Sequence, residues 1–153
     1  MRQSGFTLVE LLVAVTIFAI ISAVAIPAYT QYTERGFRTE LTGDLMACAQ
    51  ALERFNAINF TYVGVVDSDG DGVPNPGVAD GDISPTVCTP NSADRYDIDV
   101  QTTVDTFVLT ADPADDNAMA DTGVITLNQA GIRTWDEDDD GNVGVHESDW
   151  NEG

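Results

Sequence analysis

From Phe6 to Ile26 the chain runs for 21 residues that are apolar or small, interrupted only by Thr7, Glu10, Thr16 and Ser22. As a helix rising about 1.5 Å per residue, this run spans roughly 30 Å, the thickness of a bilayer's hydrocarbon core. Before it lies a short polar leader, Met1–Gly5, whose charge is Arg2. The positive-inside rule places that leader in the cytoplasm and delivers the rest of the chain to the outer face of the membrane. An ordinary secretory signal fits less well, because its apolar run is usually about 7–15 residues. A simple membrane anchor is the stronger competitor.

Glu10 counts against a simple anchor. A charged group at the centre of an apolar span costs about 2.5–3.5 kcal/mol on insertion scales, and less near its end. A lone carboxylate there still needs a partner. Gly5-Phe6-Thr7-Leu8-Val9-Glu10, followed by Leu11-Leu12-Val13-Ala14-Val15, resembles the N-terminal signature of type IV prepilins and pseudopilins. The resemblance implies that a prepilin peptidase cuts after Gly5 and methylates the new amine of Phe6. It also implies that Glu10 neutralises the amine of a neighbouring pilin subunit during assembly. The physics is consistent, since two charges that are each costly in an apolar bundle become tolerable as a pair. Gly5, with no side chain, suits a narrow peptidase site.

The helix is expected to continue beyond Ile26 as an amphipathic segment over residues 27–57, with Pro27 as a local disturbance. Tyr29, Tyr32, Leu41, Leu45, Met46, Ala49, Leu52 and Phe55 recur every three or four residues, with Glu34, Arg35, Arg38 and Glu40 between them. That spacing predicts one face for a core. Ile26-Pro27-Ala28-Tyr29 and Glu34–Glu40 resemble minor pilins of the PilE-like group.

Residues 58–153 read as a globular head. Residues 67–82 form a loop rich in Asp, Gly and Pro. Strands are expected from Tyr96 to Val100, Thr106 to Ala111, Gly123 to Asn128 and Ile132 to Trp135, with a hairpin turn at Asn128–Gly131. The fold class is α+β: a long N-terminal helix, its first half membrane-spanning, packed on a small antiparallel sheet of about four strands. Pilins share this roll architecture. Cys48 and Cys88 are the two cysteines, and they are expected to pair once outside the cytoplasm. PilE-like pilins often carry a cysteine near the position of Thr122; this chain has none there, so the family's pairing does not transfer.

The formal net charge is −20, and it is unevenly placed: residues 1–60 carry −1 and residues 61–153 carry −19. Such a field repels phosphate backbones, so no nucleic-acid partner is expected. It favours cations, although a plain solubility surface would also account for it. Asp136–Glu147 fits the EF-hand loop pattern, with Asp136, Asp138 and Asp140 converging, Gly141 at the turn, the Asn142 carbonyl facing in and Glu147 closing the site. Asp67, Asp69 and Asp71 repeat the first half of that pattern, with the closing acid left to Asp80, Asp82 or another residue. The cofactor expected is calcium, one or two ions; solvated acidic loops are the plainer alternative. No phosphate-binding glycine loop, zinc cluster or catalytic triad is present in the sequence, and no enzymatic role is expected. The expected path runs from inner-membrane precursor to extracellular pilus, or to a periplasmic pseudopilus. The expected partners are the prepilin peptidase, the inner membrane and other pilin subunits. The alternatives are a pseudopilin of a type II secretion system and an anchored calcium-binding module that never polymerises.

Overall fold

The computed structural model describes residues 7–114, 117–120, 122–136 and 150. Among them the chain forms one helix, α1 (Leu8–Asn59), and five strands: β1 (Asp80–Asp82), β2 (Tyr96–Thr102), β3 (Phe107–Pro113), β4 (Ile125–Asn128) and β5 (Arg133–Trp135). Contacts divide it into two compact units, Met1–Gly36 and Phe37–Gly153.

In the first unit, the apolar side chains of α1 are exposed all round, from Leu8 to Ile26. The helix is long and apolar enough to cross a membrane, with a mean hydropathy of 2.6 over its most apolar window. Its threonine hydroxyls are satisfied from within. Thr16 Oγ1 donates to the Leu12 carbonyl at 2.7 Å, and Thr30 Oγ1 donates to the carbonyl of Pro27 at 2.9 Å. Back-bonding of this kind lets a threonine sit in an apolar span without an orphan donor. Pro27 lies inside the helix. It forgoes one backbone hydrogen bond without ending α1. Tyr29 and Tyr32 are 69% and 76% exposed, so they do not belong to the core stripe expected of them.

In the second unit the stripe is real, and it begins later. Leu41, Leu45, Cys48 and Leu52 are fully buried. Their spacing of four, three and four residues brings them onto one side of α1. They share a core with Tyr96, Ile98 and Val100 of β2, Phe107, Leu109 and Ala111 of β3, and Ile125 and Leu127 of β4. Strand β2 alternates buried and exposed residues without a break. This is the pattern of a sheet with one packed face and one wet face. The helix ends two residues past the expected limit, at Asn59, where Phe60 takes a φ of 58° and its amide closes on Asn56. A left-handed residue commonly stops a helix, although glycine is the usual choice.

The sheet is an antiparallel meander, in order β1-β2-β3-β4-β5. It therefore has five strands where about four were expected. The addition is β1, whose sequence Asp-Gly-Asp carries no strand-forming side chain. Position decides it instead: Gly81 pairs with Val100, and a Cβ on Gly81 would lie 3.1 Å from Val66 Cγ1. The expected hairpin at Asn128–Gly131 is present. Asn128 Oδ1 accepts the amides of Ala130 and Ile132, and Gly131 has a φ of 75°.

Two cross-links join α1 to the segment before β2. Cys48 and Cys88 form a disulfide with a Cα–Cα distance of 5.2 Å. Closing a loop of this length restricts the unfolded chain by about 4 kcal/mol in the chain-entropy model. The second link is the buried carboxylate of Asp44, which accepts the Ser92 amide and hydroxyl, both at 2.8 Å, and Asn91 Nδ2 at 3.1 Å. Asp44→Ala would strand the buried Ser92 donors. It should cost about 3 kcal/mol, which corresponds to a fall in melting temperature of roughly 10 °C. Thermal unfolding followed by circular dichroism measures this, and a loss below about 1 kcal/mol would contradict the clamp.

Candidate functional site

At the start of α1, Thr7 and Glu10 form a reciprocal cap. The Thr7 amide and hydroxyl both donate to Glu10 Oε2, at 2.9 and 2.7 Å, and the Glu10 amide donates to Thr7 Oγ1 at 3.2 Å. This is a capping box: the first-turn donors that no intrahelical carbonyl can reach are satisfied by side chains. The Glu10 carboxylate thus has a local partner one residue from Phe6. Gly5 and Phe6 themselves lie outside the described residues. The spacing Thr7-x-x-Glu10 is itself the sequence signature of a capping box.

In the head, the loop Asp67–Val73 folds around the carboxylate of Asp67. Asp67 Oδ1 accepts the Gly70 amide and Oδ2 accepts the Gly72 amide, each at 2.8 Å. Burial works against the charge of Asp67, but these amides together outweigh it and hold its carboxyl below the usual aspartate range. Gly70 and Gly72 have φ of 74° and 85°, which turns their amides inward. The loop is pinned from both sides. Asn75 Oδ1 accepts the Ser68 amide, and the buried Ser84 hydroxyl donates to the Gly72 carbonyl. Asp67, Asp69 and Asp71 each bring a carboxylate oxygen within 4.8 Å of the others. Three hard oxygen donors converge here, fewer than the roughly six to eight oxygens that calcium takes. Asp80 and Asp82 are not part of that cluster; they sit in β1 opposite Gln101 and Asp99.

Of the second acidic loop, only Asp136 is described: it is buried, and its amide donates to the Val124 carbonyl at 2.9 Å. Asp138, Asp140, Asn142 and Glu147 lie outside the described residues.

Residues 27–124 match the family described as "Type IV minor pilin ComP, DNA uptake sequence receptor". The chain belongs to this type IV minor pilin family. Residues 1–26 of the pilin match the prokaryotic N-terminal methylation motif as well. The pilin is 35% identical over 75 residues to the prepilin peptidase-dependent protein D of Escherichia coli, covering 49% of this chain and 51% of that one. It is 38% identical over 61 residues to the type II secretion system core protein G of Pseudomonas aeruginosa, covering 40% and 43%. It is 39% identical over 51 residues to the type IV major alpha-pilin of Moraxella bovis, covering 33% and 32%. The chain thus spans about half or less of the length of each of these relatives.

The pilin head carries one further charged feature that the sequence reading did not single out. Asp82 pairs with Asp99 across β1 and β2, Asp80 lies two residues along from Asp82, and Asp97 two residues along from Asp99. All four are exposed on the wet face of the sheet. Like charges placed directly opposite are destabilising. Partial burial first, and then the hydrogen bond and charge of Asp82 with the charges of Asp80 and Asp97, push the Asp99 carboxyl above its ordinary value. A raised acid contributes stability that is complete below its unfolded value and lost as pH rises through its folded value. Asp99→Asn should therefore raise the melting temperature of the head at pH 7 by roughly 2–4 °C. The gain should close as the pH falls into the ordinary aspartate range, where the raised parent carboxyl takes up its proton. A gain independent of pH in thermal scans would contradict the repulsion.

Proposed function

We propose that this pilin is a structural subunit of a type IV pilus filament, a minor pilin, assembled through the apolar half of α1. The observation that carries the proposal is the surface of Leu8–Ile26, apolar on every side and exposed, behind a capped Glu10. Such a surface needs lipid before assembly and the same helices of neighbouring subunits after it. On this reading the precursor sits in the inner membrane with its leader in the cytoplasm. The prepilin peptidase cuts after Gly5 and methylates Phe6, in keeping with the methylation motif at residues 1–26. The head is then displayed outside the cell, on a pilus. The similarity to the secretion core protein G supports a second reading, a periplasmic pseudopilus built by the same helix. The family's description names a DNA uptake sequence receptor. The charge of −19 on residues 61–153 weighs against a phosphate backbone as this head's partner.

Calcium is proposed as a stabiliser of the head, held by Asp67, Asp69 and Asp71. Bound to the folded form alone, the ion would raise the melting temperature by mass action. Calcium added to the head should do so, and Asp69→Ala with Asp71→Ala should remove most of the gain, whereas equal gains in the parent and the variant would reduce the effect to general screening.

The filament proposal is tested at Glu10, where two roles separate. Glu10→Gln keeps an acceptor for the Thr7 amide but removes the charge; Glu10→Ala removes both. If the carboxylate pairs with a neighbouring subunit's amine, both variants should enter filaments about tenfold less than the parent, while remaining inserted and folded. Incorporation is measured by blotting sheared filaments. A Gln variant that assembles like the parent would leave Glu10 with capping alone and contradict the pairing.

A further inference from the structure

The unit Phe37–Gly153 contains four arginines, and they are not equivalent. Arg95 binds Glu40 and Asp94. Arg38 lies over the ring of Trp135, 4.4 Å from its centroid. Arg54 and Arg133 both line one open groove of about 500 Å³, between α1 and the β3–β4–β5 side of the sheet. Its floor is apolar, from Met46, Phe107 and Leu127. Neither Arg54 nor Arg133 forms an ion pair among the described residues. Arg133 rests against Trp150, 4.9 Å from the ring centroid. Glu53 also lines the groove, and its carboxylate is engaged by the Tyr62 hydroxyl at 3.0 Å. Among the described residues lining the groove, two arginines outnumber one carboxylate, so in a head this acidic the groove carries a local excess of positive charge.

The complementary surface lies at the other end of the strand order. Asp80, Asp82, Asp97 and Asp99 form a ladder of carboxylates on β1 and β2, and none has a cationic partner among the described residues. One surface has an excess of cationic side chains, and the other carries carboxylates alone. They are separated by the width of the sheet, so one molecule presents them on different flanks.

We propose that the groove bearing Arg54 and Arg133 docks the Asp80–Asp82 and Asp97–Asp99 ladder of a second copy of this chain. The proposal rests on the filament reading only in naming the partner. Because the two surfaces differ, the contact is heterologous, and a heterologous contact that does not close into a ring repeats without limit, as a filament requires. Charge complementarity selects the groove-to-ladder arrangement, because ladder against ladder would set like charges together.

A photocrosslinking amino acid replacing Gln129, an exposed residue on the groove wall, tests the proposal in the full chain. The labelled chain is expressed in membranes beside a tagged, unlabelled copy, and crosslinked peptides are mapped by mass spectrometry. The expected product joins position 129 to residues 80–101 of the tagged copy. Asp82→Arg with Asp99→Arg in the tagged copy should lower that yield about tenfold. Adding Arg54→Glu and Arg133→Glu to the labelled chain should restore it, which a misfolded copy could not do. Crosslinks to the chain's own acidic residues 137–149, crosslinks elsewhere on the second copy, or a yield that charge reversal does not move would each overturn the proposal. The crosslink is read in membranes, so a chain that never enters filaments would overturn the filament reading and leave this result standing.

Discussion

A single helix serves two solvents, and the rest of the structure depends on how its sequence divides them. Leu8–Ile26 is apolar on every side and has no buried residue, whereas Leu41, Leu45, Cys48 and Leu52 form one narrow, fully buried stripe. The stripe supplies the helical side of the core of the head. Burying four such side chains gives about 1.5–3 kcal/mol each for the leucines, which is substantial for a core this small. The disulfide and the Asp44 clamp then fix α1 to the segment that leads into β2. The exposed half has no such partner among the described residues, so its stability in water depends on something outside the chain.

The acidity of the head is tolerated because the sheet segregates it. In β2 the aspartates occupy the exposed positions of a strict alternation, and Tyr96, Ile98 and Val100 occupy the buried ones. Asp44, Asp67 and Asp136 are the exceptions among the described residues, and the carboxylates of Asp44 and Asp67 are met by amide or hydroxyl donors. This is the general condition for burying such a group. The aspartates of β1 and β2 stay on the wet face, where they shape what the head can approach. An acidic surface with one arginine-lined groove discriminates among partners by repulsion as much as by attraction.

Much of this was legible in the sequence because it rested on periodicity. The apolar run, the alternation in β2, the Asn128–Gly131 turn and the α+β class all follow from residue spacing. Elements whose shape comes from tertiary context were not legible. Strand β1 has a loop composition and exists because Val100 and Val66 flank Gly81. Tyr29 and Tyr32 continue the spacing of the core stripe, yet they lie before the segment that meets the sheet. Asp44 reads as a polar interruption of the stripe, and only Asn91 and Ser92, far along the chain, give it a buried role. Thr7-x-x-Glu10 carries two signals at once, a local capping box and a carboxylate in an apolar run, and spacing alone does not rank them. The Arg54–Arg133 groove joins residues too distant in sequence for any spacing rule to connect.

The central claim is that the apolar half of α1 passes from membrane to filament after the leader is removed. Mass spectrometry of the chain recovered from sheared surface filaments tests it most directly. The account predicts a chain that begins at Phe6 with a methylated amine. A chain that keeps Met1–Gly5, is cut inside the apolar run, or is found only in the membrane fraction would contradict it.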